Sequence, residues 1–171
     1  MVIVFGFSGF TFFNSCQGPV GPPGPPGYNG VANIVAYDIS TNSSSWSYDN
    51  NGDLFYTDAQ IPDITQAVID AGTVQAFYSN SDYSYFQALP TTQSLLWVGY
   101  SYFLGIGEID WGLTTGNMPA NPGTQYFKFV VIPPAQRQAN PDINWTDYND
   151  IARHFKITDI PIETAIIHYE R

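Results

Sequence analysis

Positive charge is scarce in this sequence. Its 171 residues hold 5 Lys+Arg against 15 Asp+Glu, a net charge of −10. A chain this poor in cations cannot neutralise a phosphate backbone, which excludes nucleic acid as a partner. Charge of either sign is thin, at 12% of residues against about 25% in ordinary soluble domains, and none precedes Asp38. A single cysteine, Cys16, excludes an internal disulfide. Without histidine partners it also excludes a structural zinc, and no second thiol is present to resolve an oxidised one. The two histidines, His154 and His168, fall in no H-x-H or H-E-x-x-H pattern, and no serine sits in a G-x-S-x-G elbow. No catalytic residue or cofactor follows from the sequence, and the chain reads as a non-enzyme.

Apolar and turn-forming residues are plentiful. The hydrophobic fraction is 44%, and aromatics reach 16%, with 12 Tyr, 12 Phe and 4 Trp beside 15 Gly and 13 Pro. That is enough apolar material for a packed core, and the mixture favours short strands and turns. From Asn33 the pattern alternates as half-buried strands do. Val35, Tyr37 and Ile39 face one way. Asp49-Asn50-Asn51-Gly52-Asp53 separates two apolar runs as a hairpin turn, and residues 80–82 separate strands at 73–79 and 83–89. Residues 94–104 read as one long strand and 108–113 as the next. In 125–132, Phe127, Phe129 and Val131 oppose Tyr126, Lys128 and Val130 before Pro133-Pro134 ends the strand.

Helical spacing of Ile64, Ala67, Val68 and Ala71 predicts a helix over 62–72, with Asp63 in its first turn and Gly72 at its end. A second helix is predicted over 147–155, and a last strand over 165–169. The whole indicates a mainly β fold: an antiparallel sandwich, Ig-like or jelly-roll-like, with one or two short helices.

The N-terminus is of another kind. Residues 1–13 are almost entirely apolar or small. Thirteen residues span about 20 Å as a helix, short of the ~30 Å hydrocarbon core, so a secretory targeting segment is the expectation. A buried strand is the alternative. Directly after Cys16, glycine recurs in phase at Gly18, Gly21, Gly24, Gly27 and Gly30, twice with Pro in both other positions. This is the Gly-X-Y pattern of collagen, in which only glycine fits the crowded axis. The triplets extend about 37 Å at roughly 3.1 Å per residue. They form either a single-chain spacer or part of a trimeric stalk.

Cys16 with its triplets, the segment ITQAVIDAGTVQAFYS at 64–79, Ala88-Leu89-Pro90, YFKFVVIP at 126–133 and residues 148–157 together resemble the collagen-like lipoproteins of Bacteroidota. The resemblance covers nearly the whole chain and implies a location, not a reaction. It implies a signal peptide at 1–15, a lipidated Cys16 opening a collagen-like stalk at 16–30, and a β-sandwich domain at 31–171. The covalent lipid on Cys16 would hold the protein to the outer membrane of the cell envelope. Gln17-Gly18-Pro19 leaves surface and periplasmic faces both open.

Trp46, Trp97, Trp111 and Trp145 are candidates for stacking on a ligand, with core packing as the alternative. Glu108 and Asp110 alternate on one strand and so point the same way, as an acid/base pair needs, although this spacing is common on solvated faces. The acidic 49–53 turn lacks the glycine and glutamate positions of an EF-hand and reads as a hairpin, weak calcium binding being the alternative. The expected role is structural, adhesive or scaffolding, with membrane contact through the lipid, and with a homotrimer as partner if the triplets form a stalk rather than a single-chain spacer. The alternative is a carbohydrate- or peptide-binding module on the same anchor.

Overall fold

A computed structural model describes residues 33–163. The expected signal peptide, Cys16, the stalk glycines, His168 and the 165–169 strand lie outside the described residues. The described chain is mainly β, with two five-stranded sheets and three short helices. No helix among the described residues is long and apolar enough to cross a membrane.

The first sheet contains β1 (Val35–Ser40), β4 (Thr73–Ser79), β5 (Phe86–Ala88), β9 (Tyr126–Ile132) and β10 (Thr158–Glu163), in the order β10-β1-β9-β4-β5. The second contains β2 (Ser47–Asp49), β3 (Leu54–Gln60), β6 (Thr91–Gln93), β7 (Leu96–Phe103) and β8 (Ile106–Leu113), in the order β2-β3-β8-β7-β6. All pairings are antiparallel except β1 with β10, which is parallel. Pro161 lacks an N–H and sits on β10, an edge strand, where the missing donor is tolerated.

Alternation places the inner faces together. Val35, Tyr37, Ile39, Val74, Ala76, Phe127, Phe129 and Val131 of the first sheet share one core with Phe55, Ala59, Val98 and Ile109 of the second. The Tyr100 hydroxyl donates to the Val74 carbonyl at 3.1 Å and so links the two sheets. Gly107 lets them approach closely: a Cβ there would lie 2.7 Å from the Phe129 ring and 2.8 Å from Ile61 Cδ1. The opposite face of the first sheet builds a second core. Ala36, Phe77, Val130 and Ile132 pack there with Ile143 and Ile151.

The helices differ in part from expectation. α1 is Gln66–Ala71, capped by Thr65. Asp63 lies ahead of it and accepts the Tyr37 hydroxyl at 2.5 Å, so it is not a first-turn charge. Gly72 ends α1 with negative φ. Its lack of a side chain matters because a Cβ would sit 2.6 Å from the Ile132 carbonyl oxygen. Pro133-Pro134 ends β9 as expected and also starts an unforeseen helix, α2 (Pro134–Ala139), since proline suits the first helical turn. α3 (Tyr148–His154) is the predicted second helix, capped by Asp147.

The long strand expected at 94–104 begins only at Leu96. Ser94 takes a left-handed φ of 54°, which reverses the chain and pairs 91–93 with 96–98. Leu95, apolar and therefore misleading, is exposed in that turn.

Phe129→Ala should cost about 3–5 kcal/mol of stability, and Gly107→Ala about 1–3 kcal/mol through overpacking against the same ring. Urea unfolding checks both; an unchanged midpoint in either variant would show that the sheets do not meet there.

Candidate functional site

Lys128 is the chemical centre of the described structure. β9 occupies the middle of its sheet, with every residue from Phe127 to Ile132 buried. Strand alternation turns Lys128 away from the inner core, yet it is 2% exposed. Asp38 on β1 is its register partner across the ladder, and Phe77 on β4 is its partner on the other side. The ammonium lies 2.5 Å from Asp38 Oδ1 and 2.7 Å from Asp159 Oδ1 on β10. Three rings enclose it, with centroids 5.5 Å (Tyr83), 5.6 Å (Phe86) and 5.0 Å (Tyr148) from Nζ. Desolvated cation–ring contacts of this kind contribute about 2 kcal/mol.

Each ring is positioned by its own element. Phe86 belongs to β5. Tyr148 is the first residue of α3, whose Asp147 cap accepts the Asn149 amide at 2.9 Å, and it lies 4.0 Å from Phe86, centroid to centroid. Tyr83 sits at the tip of the 80–85 loop with φ of 53°. Asn80 Oδ1 accepts the amides of Ser84 and Tyr85 there, at 2.9 and 3.1 Å. Asp82 accepts the Ser84 hydroxyl at 2.7 Å and the Ser84 amide at 3.2 Å, and these two bonds hold its carboxyl below the usual range.

Burial and charge compete at the lysine. Burial works to lower its pKa, but hydrogen bonds to Asp159 and Asp38 outweigh that, and the ammonium is held above the ordinary lysine value. Tyr83 is pushed up to about 12, first by burial and then by the negative charge of Asp38. Beside the cluster opens a cleft of about 500 Å³, lined by Asp38, Ser40, Tyr83, Tyr126, Pro161 and Ile162. Tyr83 and Tyr126 meet edge to face along it, 6.0 Å apart. A cleft with two tyrosine rings and one acid suits a polar ligand that also has an apolar face.

The tryptophans do not share one surface. Trp46 is buried, edge to face with Trp111 at 6.1 Å, and its Nε1 donates to the Gly123 carbonyl at 2.8 Å. Trp111 also lines a pocket of about 40 Å³ between the sheets, with Tyr78, Thr91, Gln93, Leu96 and Val98. Trp97 covers Gly99, where a Cβ would come within 2.3 Å of its ring. Trp145 stacks on Phe155 at 5.8 Å in the outer core.

Glu108 and Asp110 do lie on one face of β8, opposite Asp58 and Tyr56 of β3. Glu108 accepts the Ser101 hydroxyl at 3.0 Å. The 49–53 segment forms the expected hairpin turn: Asp49 Oδ1 accepts the Asn51 amide at 2.9 Å and Asp53 Oδ1 the Tyr48 hydroxyl at 3.0 Å. Among the described residues, no three His, Cys, Asp or Glu side chains group to hold a metal. His154 lies half-exposed on α3, its Nδ1 2.8 Å from the Asp150 carbonyl oxygen.

Sequence reasoning missed Lys128. The signal was present, since YFKFVVI places one cation inside an apolar strand of a chain with only 5. No family model, curated protein or solved structure matches the chain.

Lys128→Met should destabilise the fold by about 3–5 kcal/mol, because it leaves the buried Oδ1 of Asp38 without its cation. Asp159→Asn, at a half-exposed carboxylate, should cost about 1 kcal/mol or less. Chemical denaturation ranks the two, and equal losses would contradict the burial.

Because the folded state holds Tyr83 protonated up to about pH 12 whereas the unfolded chain releases that proton near 10, its contribution is complete below pH 10. It is lost as pH rises towards 12. Urea midpoints should fall across that window, and less steeply in Tyr83→Phe.

Proposed function

We infer that this protein is a non-catalytic lipoprotein of the bacterial cell envelope, with a structural, adhesive or scaffolding role. The single observation that carries this reading is the junction in the sequence at which Cys16 is followed at once by five in-phase glycines. An acylated Cys16 would supply several chains at roughly 0.8 kcal/mol per buried CH₂, enough for permanent anchoring. The Gly18–Gly30 run, with φ fixed at its prolines, would stand out as a polyproline spacer. The head above it would be the β-rich unit, read as a β-sandwich because its two sheets share an inner core. Joined as a trimer, such heads would present identical faces and gain by multivalency.

A second reading has its own support. The tyrosine-edged cleft at Asp38, Tyr83 and Tyr126 has the size and character to accept a sugar or a short peptide. In that case the anchor would serve a carbohydrate- or peptide-binding module. A glycan array probed with the wild-type protein and with Tyr126→Ala separates the readings: a signal lost in the variant favours the second.

Cys16→Ala should move the full-length protein out of the membrane fraction or leave an uncleaved precursor. Unchanged membrane residence with an intact Met1 would overturn the anchor.

A further inference from the structure

An ion pair alone accounts poorly for Lys128. A buried pair can often be replaced by apolar residues with no loss of stability, and burial strips water from the ammonium, which opposes its charge. Two carboxylates converge on one amine that is 2% exposed, on three neighbouring strands, β9, β1 and β10. The Nζ–Oδ1 distance to Asp38 is 2.5 Å. The carboxyl carbon is at most one C–O bond further away, close to the about 3–3.5 Å of a near-attack pair. The chain's single cysteine leaves it no internal disulfide.

We propose that Lys128 and Asp38 condense into an intramolecular amide after folding, with Asp159 as the proton relay. The reactive form is the neutral pair, in which the ammonium has passed one proton to the Asp38 carboxylate. The Nζ lone pair attacks Cγ of Asp38, forming the C–N bond and a tetrahedral centre. The Asp159 carboxylate takes a proton from the nitrogen, now cationic, and delivers it to the departing hydroxyl. The C–O bond breaks, one water leaves, and Asp159 is again a carboxylate. No oxidant or co-reactant is needed: RNH₃⁺ and R′COO⁻ become RNHCOR′ and H₂O.

The two acids divide the roles by position. Asp38 faces Lys128 in register, and its side chain is only 20% exposed, so the electrophile is held in a water-poor place. Asp159 is 50% exposed, which suits a group that exchanges protons and lies on the exit path of water. Fixing the reactants in this geometry supplies an effective molarity of about 10⁵–10⁸ M. The product also removes the ammonium charge that burial opposes, together with the charge of its carboxylate partner.

Mass spectrometry of the denatured, full-length wild-type chain tests this directly. Trypsin should fail to cut after Lys128, and the fragment spanning it should weigh one water less than its sequence, with the link mapped to Asp38. Cleavage after Lys128 at full sequence mass would overturn the proposal, as would a link mapped to Asp159. Asp38→Ala should have the full sequence mass; loss of water there would overturn the assignment. Asp159→Asn, folded by circular dichroism, should accumulate the amide about a hundredfold more slowly or worse. An unchanged rate would remove Asp159 from the reaction.

Discussion

A positive charge placed in the middle of a doubly buried strand determines much of what surrounds it. Lys128 cannot be shielded by β9 itself, whose other buried positions are apolar. Its neutralising partners come from β1 and β10, and its cover from β5, the 80–85 loop and α3. Elements far apart in sequence are thereby committed to one location. Asp38 is 90 positions from Lys128, and Asp159 is 31 away. A loss of register by one residue on β9 would turn the charge into the inner core, where Phe127 and Phe129 now pack.

The first sheet serves two cores with one set of strands. Its inner residues meet the second sheet, closely enough that Gly107 carries no side chain against Phe129. Its outer residues meet α3 and the loops. The cleft lies at the margin of this outer layer, where cover gives way to solvent beside Tyr83 and Tyr126. The same two residues, Asp38 and Tyr83, therefore belong both to the buried cluster and to the exposed wall, and any change in the charge of the cluster is felt in the cleft.

Local pattern made the strands legible. Alternation at 35–39 and 127–131 identified the faces that pack in the inner core, and the 49–53 turn was readable from residue type alone. Three features were not. Ser94 reverses the chain between polar Thr91-Thr92-Gln93 and the apolar run from Leu95, and with no Gly, Pro, Asn or Asp beside it a lone serine is a weak turn signal. β10 pairs in parallel with β1 over a stretch containing Pro161, a residue that argues against a strand unless the strand is an edge. The Lys128 cluster depends on cross-strand neighbours brought together by sheet order, and periodicity along one strand carries no information about that.

The parallel pairing of β1 with β10 also fixes how the unit bears a load. Val35 lies beside Thr158 and Ser40 beside Glu163, so the chain enters β1 at one end of the ribbon and leaves β10 at the other. A pull applied between residues 33 and 163 acts along the strands. It strains the rungs of the ladder together, in shear, where a pull from one end would peel them apart in turn. The described ends of the chain thus meet tension at the strongest orientation a pair of strands can offer.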